Sequence, residues 1–303
     1  MVSPLPPATN VLELSSRLEW GLIPAVPVPF RGTALAEDAQ HLLADWMASQ
    51  QVAGVAVWAH TGRGPHLTPA QREVVLGTWR AALPESVIIA GANSVAMARE
   101  ARRGGADALL AFPRANDAVG FHQALVEELP VIAFYLYEAA GGVAYDDVTL
   151  RAILEIPEVI GIKVATLDSA PTFQRIADLV RHYPAKLLIT GEDRFLGESL
   201  TLGARAALVG MGAALTDLQT ELLEAAQTGA RADFVRLSGW LDRFALATFG
   251  PPAEGYVRRM LWALAADGVI PDDACDDPWG PALGASERDA VRRAVRDARA
   301  ARA

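Results

Sequence analysis

The feature that most constrains the fold of this chain is a series of eight short apolar runs separated by segments with helical spacing. The runs occupy residues 22–28, 54–59, 87–92, 108–112, 131–136, 159–164, 186–190 and 206–210. Near-continuous apolar strands that alternate with helices predict a parallel sheet buried on both faces. Eight strands close a barrel, and the first turn, PVPFRGTA, lacks the GxGxxG pattern of a doubly wound sheet. We therefore predict an α/β fold, a (β/α)₈ TIM barrel with a C-terminal helical extension.

The pattern changes after residue 210, where the remaining chain becomes helical. Apolar residues recur at helical spacing between 218 and 267, and residues 285–303 are charged and rich in alanine. The first ten residues, MVSPLPPATN, are rich in proline. The predicted organisation is an N-terminal extension over 1–20, the barrel over 21–230 and a C-terminal helical region over 231–303.

Composition excludes several classes of function. The net charge of -9 disfavours nucleic-acid binding, which needs clustered lysines and arginines. A single cysteine, Cys275, excludes an internal disulfide framework and gives no metal cluster. No 18-residue apolar run occurs, and the N-terminus lacks a charged head followed by an apolar stretch. We expect a soluble cytoplasmic protein with no membrane partner, no metal and no cofactor.

Lysine usage singles out one position. Of 27 basic residues only Lys163 and Lys186 are lysines, and all others are arginines. Arginine stays protonated, whereas a lysine with a lowered pKa is a nucleophilic amine. Lys163 lies near the end of an apolar run, where burial should lower its pKa, so we predict imine chemistry there. The alternative is a core lysine paired with a carboxylate. Lys186 begins its run and is expected at the opposite end of the barrel.

Other candidates stand at the C-terminal ends of the runs, where barrel active sites lie. Tyr135 and Tyr137 share one face of the fifth run, and a phenol at the mouth can relay protons. Thr61 and Gly62 offer a hydroxyl and a backbone N–H to a carboxylate. His60 and Arg63 suit a polar or anionic substrate. The alternatives are a core aromatic for Tyr135, a turn residue for Thr61 and a structural histidine for His60.

Six short motifs resemble those of one enzyme family. GIKVAT at 161–166 resembles the GIKxAT signature of the dihydrodipicolinate synthase and N-acetylneuraminate lyase family. Shorter resemblances are GLIPA at 21–25, AHTG at 59–62, GGADA at 104–108, TGED at 190–193 and LGA at 202–204. The resemblance implies a barrel lyase of the class I aldolase type, which binds pyruvate or a related 2-oxo acid as a Schiff base. It also implies a homodimer or homotetramer.

The resemblance assigns roles residue by residue. Lys163 matches the Schiff-base lysine, and Thr61 matches the threonine that holds the carboxylate of the 2-oxo acid. Tyr135 matches the family tyrosine when residues are counted back from Lys163, whereas counting forward from Pro130 places Phe134 there. Leu208 matches a residue that lines the substrate pocket on the eighth strand.

The chain also departs from the synthases of that family. His60 replaces the first threonine of a pair, and Arg63 replaces a glutamate. Pro113-Arg114-Ala115 stands where synthases have PYY, and the arginine that binds the aldehyde carboxylate falls at Ala140. The departures favour an aldolase or dehydratase acting on a modified 2-oxo acid. The alternatives are a true 4-hydroxy-tetrahydrodipicolinate synthase, a barrel that binds a metabolite without turnover and, on Gly210-Met211-Gly212, a phosphate-binding barrel.

Overall fold

A computed structural model describes residues 11–302 of the chain. Its main sheet contains eight strands: β1 (Leu22–Pro24), β2 (Gly54–Val57), β3 (Val87–Ala92), β4 (Ala108–Ala111), β5 (Val131–Leu136), β6 (Val159–Ala165), β7 (Leu187–Thr190) and β8 (Ala206–Val209). The strands are parallel and follow the order β1-β8-β7-β6-β5-β4-β3-β2. A parallel bridge between Ala25 and Ala56 joins the chain after β1 to β2 and closes the ring. The predicted barrel is confirmed.

Helices α2 to α9 each follow one barrel strand. Their bounds are α2 (Glu37–Ala48), α3 (Pro69–Ala82), α4 (Val95–Arg103), α5 (Ala118–Val126), α6 (Asp147–Leu154), α7 (Ala170–Val180), α8 (Leu196–Thr201) and α9 (Thr216–Thr228). Short polar side chains begin several of them, as at Ser94, Asp146 and Ser169, because these side chains accept otherwise unpaired helical N–H groups. Thr68 and Gln71 form a capping box at α3.

Four further helices complete the described chain: α1 (Val11–Leu18) before the barrel, then α10 (Arg231–Thr248), α11 (Tyr256–Ala266) and α12 (Ala285–Arg302) after it. Leu14 and Leu18 of α1 pack into the inner core of the barrel. Between residues 11 and 302, no helix combines the length and the apolar character needed to cross a membrane. Residues 1–10 of the predicted N-terminal extension, and residue 303, lie outside the described residues; the domain bounds at 20 and 230 stay predictions.

The strands separate two apolar cores. The inner core fills the barrel with inward-facing side chains such as Ile89, Phe134 and Leu208. The outer core lies between the strands and the helices and contains Tyr135 and Val164. Since side chains alternate along a strand, a shift of one residue moves a side chain from one core to the other.

A buried arginine fixes the loop that joins α10 to α11. Arg259 donates from Nη1 to the carbonyl oxygen of Gly250 at 2.7 Å, and from Nη2 to that of Pro251 at 3.1 Å. Its Nη2 also lies 2.6 Å from Glu287 Oε1 of α12. These bonds fix the loop that carries Glu254, and they place the start of α11 at the mouth of the barrel.

Candidate active site

Lys163 lies near the C-terminal end of β6 and is buried. Its Nζ lies 4.4 Å from the ring centroid of Phe134, the residue that pairs with it on β5. Burial lowers the pKa of Lys163 to about 8, opposed by the nearby Asp193 and Glu192 carboxyls. At such a pKa a substantial part of the amine is neutral near pH 8, as nucleophilic attack requires.

Gly191, which follows β7, leaves the space that the lysine side chain occupies. A Cβ at this position would lie 2.5 Å from Lys163 Cε and 3.0 Å from Ala165 Cβ. Real Cβ atoms do not approach other atoms so closely, so a larger residue would displace the amine. The glycine of the TGED motif therefore has a steric role in this site.

Two carboxyl groups follow Gly191. Glu192 is fully buried and accepts hydrogen bonds from the backbone N–H groups of Thr166 and Leu167, at 2.5 and 3.0 Å. Burial raises its pKa to about 8. Asp193 accepts from the N–H of Met211 at 2.6 Å, and burial raises its pKa although Lys163 opposes the shift. Glu192 shapes the backbone after β6, whereas Asp193 faces the amine across the cavity.

The loop after β2 brings His60 and Thr61 to the same cavity. Thr61 Oγ1 and His60 Nδ1 each lie 3.0 Å from the hydroxyl oxygen of Tyr256. Burial, and then the positive charges of Arg63 and Lys163, lower the pKa of His60 to about 3, so the imidazole is neutral. The positions predicted for His60 and Thr61 at the mouth agree with the structure, while their roles toward a substrate stay predictions.

Gly62 is buried directly beside Thr61. A Cβ there would lie 3.0 Å from the carbonyl oxygen of Val26, a close contact that favours glycine at this position. The backbone N–H groups of Thr61 and Gly62 make no hydrogen bond to any described residue. The sequence predicts that the Thr61 hydroxyl and a backbone N–H hold a carboxylate; Thr61 lines the cavity, and this role stays a prediction.

Arg63 does not line the cavity, which contradicts the binding role predicted for it. Its guanidinium is buried and forms a bidentate pair with Asp277, through Nε–Oδ1 at 3.1 Å and Nη2–Oδ2 at 2.6 Å. A third bond, 3.3 Å long, reaches Glu254 Oε2. The prediction that Leu208 lines the substrate pocket is also wrong, because Leu208 lies fully buried in the inner core and does not line the cavity.

Tyr135 is not brought to Lys163 either. It pairs with Val164 and packs in the outer core, whereas Phe134 pairs with Lys163 and faces inward. The predicted placement of Tyr135 at the mouth is therefore wrong, and counting forward from Pro130 gives the correct register. The inward position beside the amine thus holds a side chain without a hydroxyl.

Two other tyrosines do line the cavity. Tyr137 was predicted here, and its hydroxyl donates to Glu254 Oε1 at 3.5 Å. Tyr256, the first residue of α11, was not identified from the sequence. Its only sequence signal is an aromatic residue at the start of a helical pattern, and 195 positions separate it from Thr61. Tertiary packing alone brings the two hydroxyls together.

A narrow cavity of about 30 Å³ collects these groups at the C-terminal ends of the strands. Its polar lining consists of Lys163, His60, Thr61, Tyr137, Asp193 and Tyr256. It therefore combines one amine with a lowered pKa, three hydroxyls, a neutral imidazole and a carboxyl. This set can form an imine with a carbonyl compound and move the protons that the reaction requires.

Known proteins resemble this chain in sequence and in fold. A curated 4-hydroxy-tetrahydrodipicolinate synthase of Ruegeria pomeroyi is 28% identical over 190 residues, which cover 57% of this chain and 63% of that protein. The chain thus spans less than two thirds of that relative's length. Dihydrodipicolinate synthase of Bacteroides thetaiotaomicron superposes with a TM-score of 0.79 at 21% identity, covering 92% of this chain and 98% of the other.

A sialic acid aldolase of Ruminococcus gnavus, solved as a catalytic lysine mutant, gives a TM-score of 0.82 at 18% identity, covering 95% of this chain and 97% of that one. At such identities these structures show the fold. The model of the dihydrodipicolinate synthetase family matches residues 19–298, from the residues before β1 into α12. Because this match includes all eight strands, Lys163 and the C-terminal helices that supply Tyr256, the chain belongs to the dihydrodipicolinate synthetase family.

Proposed function

We propose that this chain is a Schiff-base-forming lyase of the class I aldolase type, acting through Lys163 on pyruvate or a related 2-oxo acid. The observation that carries the proposal is a buried amine with a lowered pKa that faces a cavity at the C-terminal mouth of the barrel. The catalytic lysine of the Ruminococcus gnavus aldolase supports the same chemistry on the same fold. The proposed state is a homodimer or homotetramer without a cofactor.

In this mechanism the carboxylate of the 2-oxo acid binds to the free N–H groups of Thr61 and Gly62. The neutral Lys163 amine attacks the adjacent carbonyl carbon, and the carbonyl oxygen leaves as water. The resulting cationic imine withdraws electrons from the neighbouring carbon. A bond at that carbon can then break and leave its electron pair as an enamine, as in aldol cleavage or dehydration.

Adduct trapping tests the proposal. Pyruvate with sodium cyanoborohydride should add one reduced pyruvate to the protein, and peptide mass spectrometry should locate it on Lys163. Lys163→Arg keeps the charge but cannot form the imine, so it should yield no adduct. Lys186→Arg is the matched control, because Lys186 Nζ bonds the carbonyl oxygens of Ile156 and Val159 away from the cavity, at 2.8 and 2.6 Å. No wild-type adduct with any of several 2-oxo acids, or an adduct on Lys186 alone, would contradict the proposal.

Aspartate semialdehyde, the second substrate of the synthases, should react poorly with this chain because its carboxylate would lack a partner. In the described chain no arginine lines the cavity; Arg63 is paired with Asp277, and Arg114 is exposed, with its guanidinium 5.2 Å from the ring centroid of Phe121. A missing charged hydrogen bond forfeits about 1.5–3 kcal/mol. We therefore expect negligible condensation of pyruvate with aspartate semialdehyde in a coupled assay, although the pyruvate imine forms. A turnover near the ordinary enzymatic value of about 10 per second would show instead a true synthase.

A further inference from the structure

Imine formation at Lys163 needs a group that transfers protons. If the lysine begins as an ammonium, its nitrogen loses two protons and the carbonyl oxygen gains two, so that water leaves and a cationic imine remains. A proton-relaying side chain typically accelerates such steps about 10²–10⁴-fold. Phe134, the inward residue that pairs with Lys163, carries no exchangeable proton. The relay must therefore come from elsewhere in the cavity.

Tyr256 makes hydrogen bonds to His60 and Thr61, and His60 in turn lies beside the carboxylate of Glu254. His60 Nδ1 lies 3.0 Å from the Tyr256 hydroxyl oxygen, and His60 Nε2 lies 3.5 Å from Glu254 Oε2. An ionised carboxylate only accepts, so the neutral imidazole carries its proton on Nε2 and accepts from Tyr256 on Nδ1. Thr61 Oγ1, also 3.0 Å away, can then donate to the phenol oxygen. Each contact thus has one donor and one acceptor.

Packing holds the phenol in this place. The Tyr256 ring stacks on Phe249 with centroids 4.8 Å apart and is almost fully buried. Gly210 leaves room for it, since a Cβ there would lie 3.0 Å from Tyr256 Cε2 and 2.9 Å from Thr61 Oγ1. A hydroxyl that is fixed in this way loses little freedom when a substrate binds.

We infer that Tyr256, bonded to His60 and Thr61, is the catalytic residue that transfers protons between the Lys163 nitrogen and the substrate oxygen. The phenol gives its proton to the carbonyl oxygen as the C–N bond forms, and it regains one from the nitrogen. A second passage carries the remaining proton of the original ammonium to the hydroxyl of the carbinolamine, which then leaves as water. His60 accepts a hydrogen bond from the phenol on Nδ1 and holds it in place, and Glu254 is a positioning residue that fixes the tautomer of His60. This inference rests on the proposed Schiff-base function.

Tyr137 is the competing phenol in the cavity. Its hydroxyl is bonded to Glu254, and it lies at the half-buried rim. The Tyr137 hydroxyl has the Glu254 carboxylate as its partner, at 3.5 Å, and no second hydroxyl is bonded to it among the described residues. Tyr256 has two shorter contacts, one with the His60 imidazole and one with the Thr61 hydroxyl, so the geometry favours Tyr256.

The test measures the rate of pyruvate adduct formation. The concentration of cyanoborohydride is raised until the rate no longer depends on it, so that imine formation is the step that limits the rate. Tyr256→Phe keeps the ring and should slow the reaction about 10²–10⁴-fold. Tyr135→Phe is the matched control, because Tyr135 lies in the outer core, and it should react at the wild-type rate. His60→Gln should slow the reaction in the same direction. Circular dichroism and thermal unfolding check that each variant folds.

Glu254→Gln tests the positioning role. An amide can donate to Nε2 as well as accept from it, so both tautomers of His60 become available. The ¹⁵N chemical shifts of the imidazole, identified by comparison with His60→Gln, should report a changed tautomer ratio. The adduct rate should fall less than in Tyr256→Phe. An unchanged tautomer ratio would contradict the positioning role.

The outcomes separate the two proposals. Absence of an adduct in the wild-type protein defeats the proposed function itself. The inference about Tyr256 is overturned if the wild-type protein forms the adduct and the folded Tyr256→Phe variant forms it at the same rate. If adduct formation is slower in Tyr137→Phe alone, the role belongs to Tyr137. If Tyr256→Phe does not fold, His60→Gln decides: a wild-type rate in that variant overturns the relay.

Discussion

The reactivity of Lys163 depends on two opposing influences on a single side chain. Burial disfavours the ammonium form, whereas the carboxyls of Asp193 and Glu192 favour it. Asp193 is itself subject to the same opposition, because burial raises its pKa and the neighbouring ammonium lowers it. The two groups therefore titrate together, and an observed midpoint belongs to the pair.

This balance predicts the pH dependence of adduct formation. With a lowered pKa of about 8, the neutral fraction of Lys163 rises with pH, from about a tenth at pH 7 to about nine tenths at pH 9. The initial rate with pyruvate should therefore increase roughly tenfold over this interval, since only the neutral amine attacks. Asp193→Asn removes a charge that favours the ammonium but keeps an oxygen for the Met211 N–H, so the midpoint should move to lower pH. A rate that falls with rising pH, or an unmoved midpoint in Asp193→Asn, would contradict this account.

Individual strands show how far the sequence could predict the site. The apolar run that ends in Lys163 identifies β6 and the position of the amine, because burial and strand ends are local properties of the pattern. On β5 the same reasoning gave a register that was wrong by one residue. Counting from Lys163 assumed a fixed loop length between β5 and β6, but the observed pairing of Phe134 with Lys163 requires the alternative register. With a period of two, this error placed Tyr135 on the wrong face.

Helix α11 shows a second limit. The helical spacing between residues 218 and 267 predicted helices in this segment, and the structure begins α11 at Tyr256. Periodicity does not reveal that the first residue reaches the barrel mouth. That placement depends on Arg259, whose guanidinium bonds the carbonyl oxygens of the preceding loop. Likewise, the charge of Arg63 suggested substrate binding, and only the fold reveals its buried partner Asp277.

At the scale of the whole molecule, the candidate active site is shared between the barrel and the C-terminal region. Lys163 and Thr61 come from the barrel, whereas Glu254 and Tyr256 come from the segment around α11. Arg63 of the barrel joins these parts through its bidentate pair with Asp277, and Arg259 fixes the loop before α11 within the C-terminal region. Stability and proton transfer should therefore depend on the same contacts.

The Arg63–Asp277 pair provides the sharpest test of this coupling. Their side chains are 7% and 1% exposed, so Asp277→Ala leaves a buried guanidinium without its main partner. Loss of one member of a buried pair typically lowers the free energy of unfolding by about 3–5 kcal/mol. Asp178→Ala is the matched control, because its pair with Arg181 is more than half exposed and should contribute at most about 1 kcal/mol.

Denaturant unfolding of both variants measures this difference. The Asp277→Ala protein should also form the pyruvate adduct more slowly than the control under conditions in which both are folded. The reason is geometric: the freed Arg63 retains only its two longer bonds to Glu254, at 3.3 and 3.2 Å, and Glu254 contacts His60. Equal stability of the two variants would show that the pair is dispensable. A destabilised Asp277→Ala protein with a normal adduct rate would show that the Arg63–Asp277 pair stabilises the fold without positioning the reactive groups.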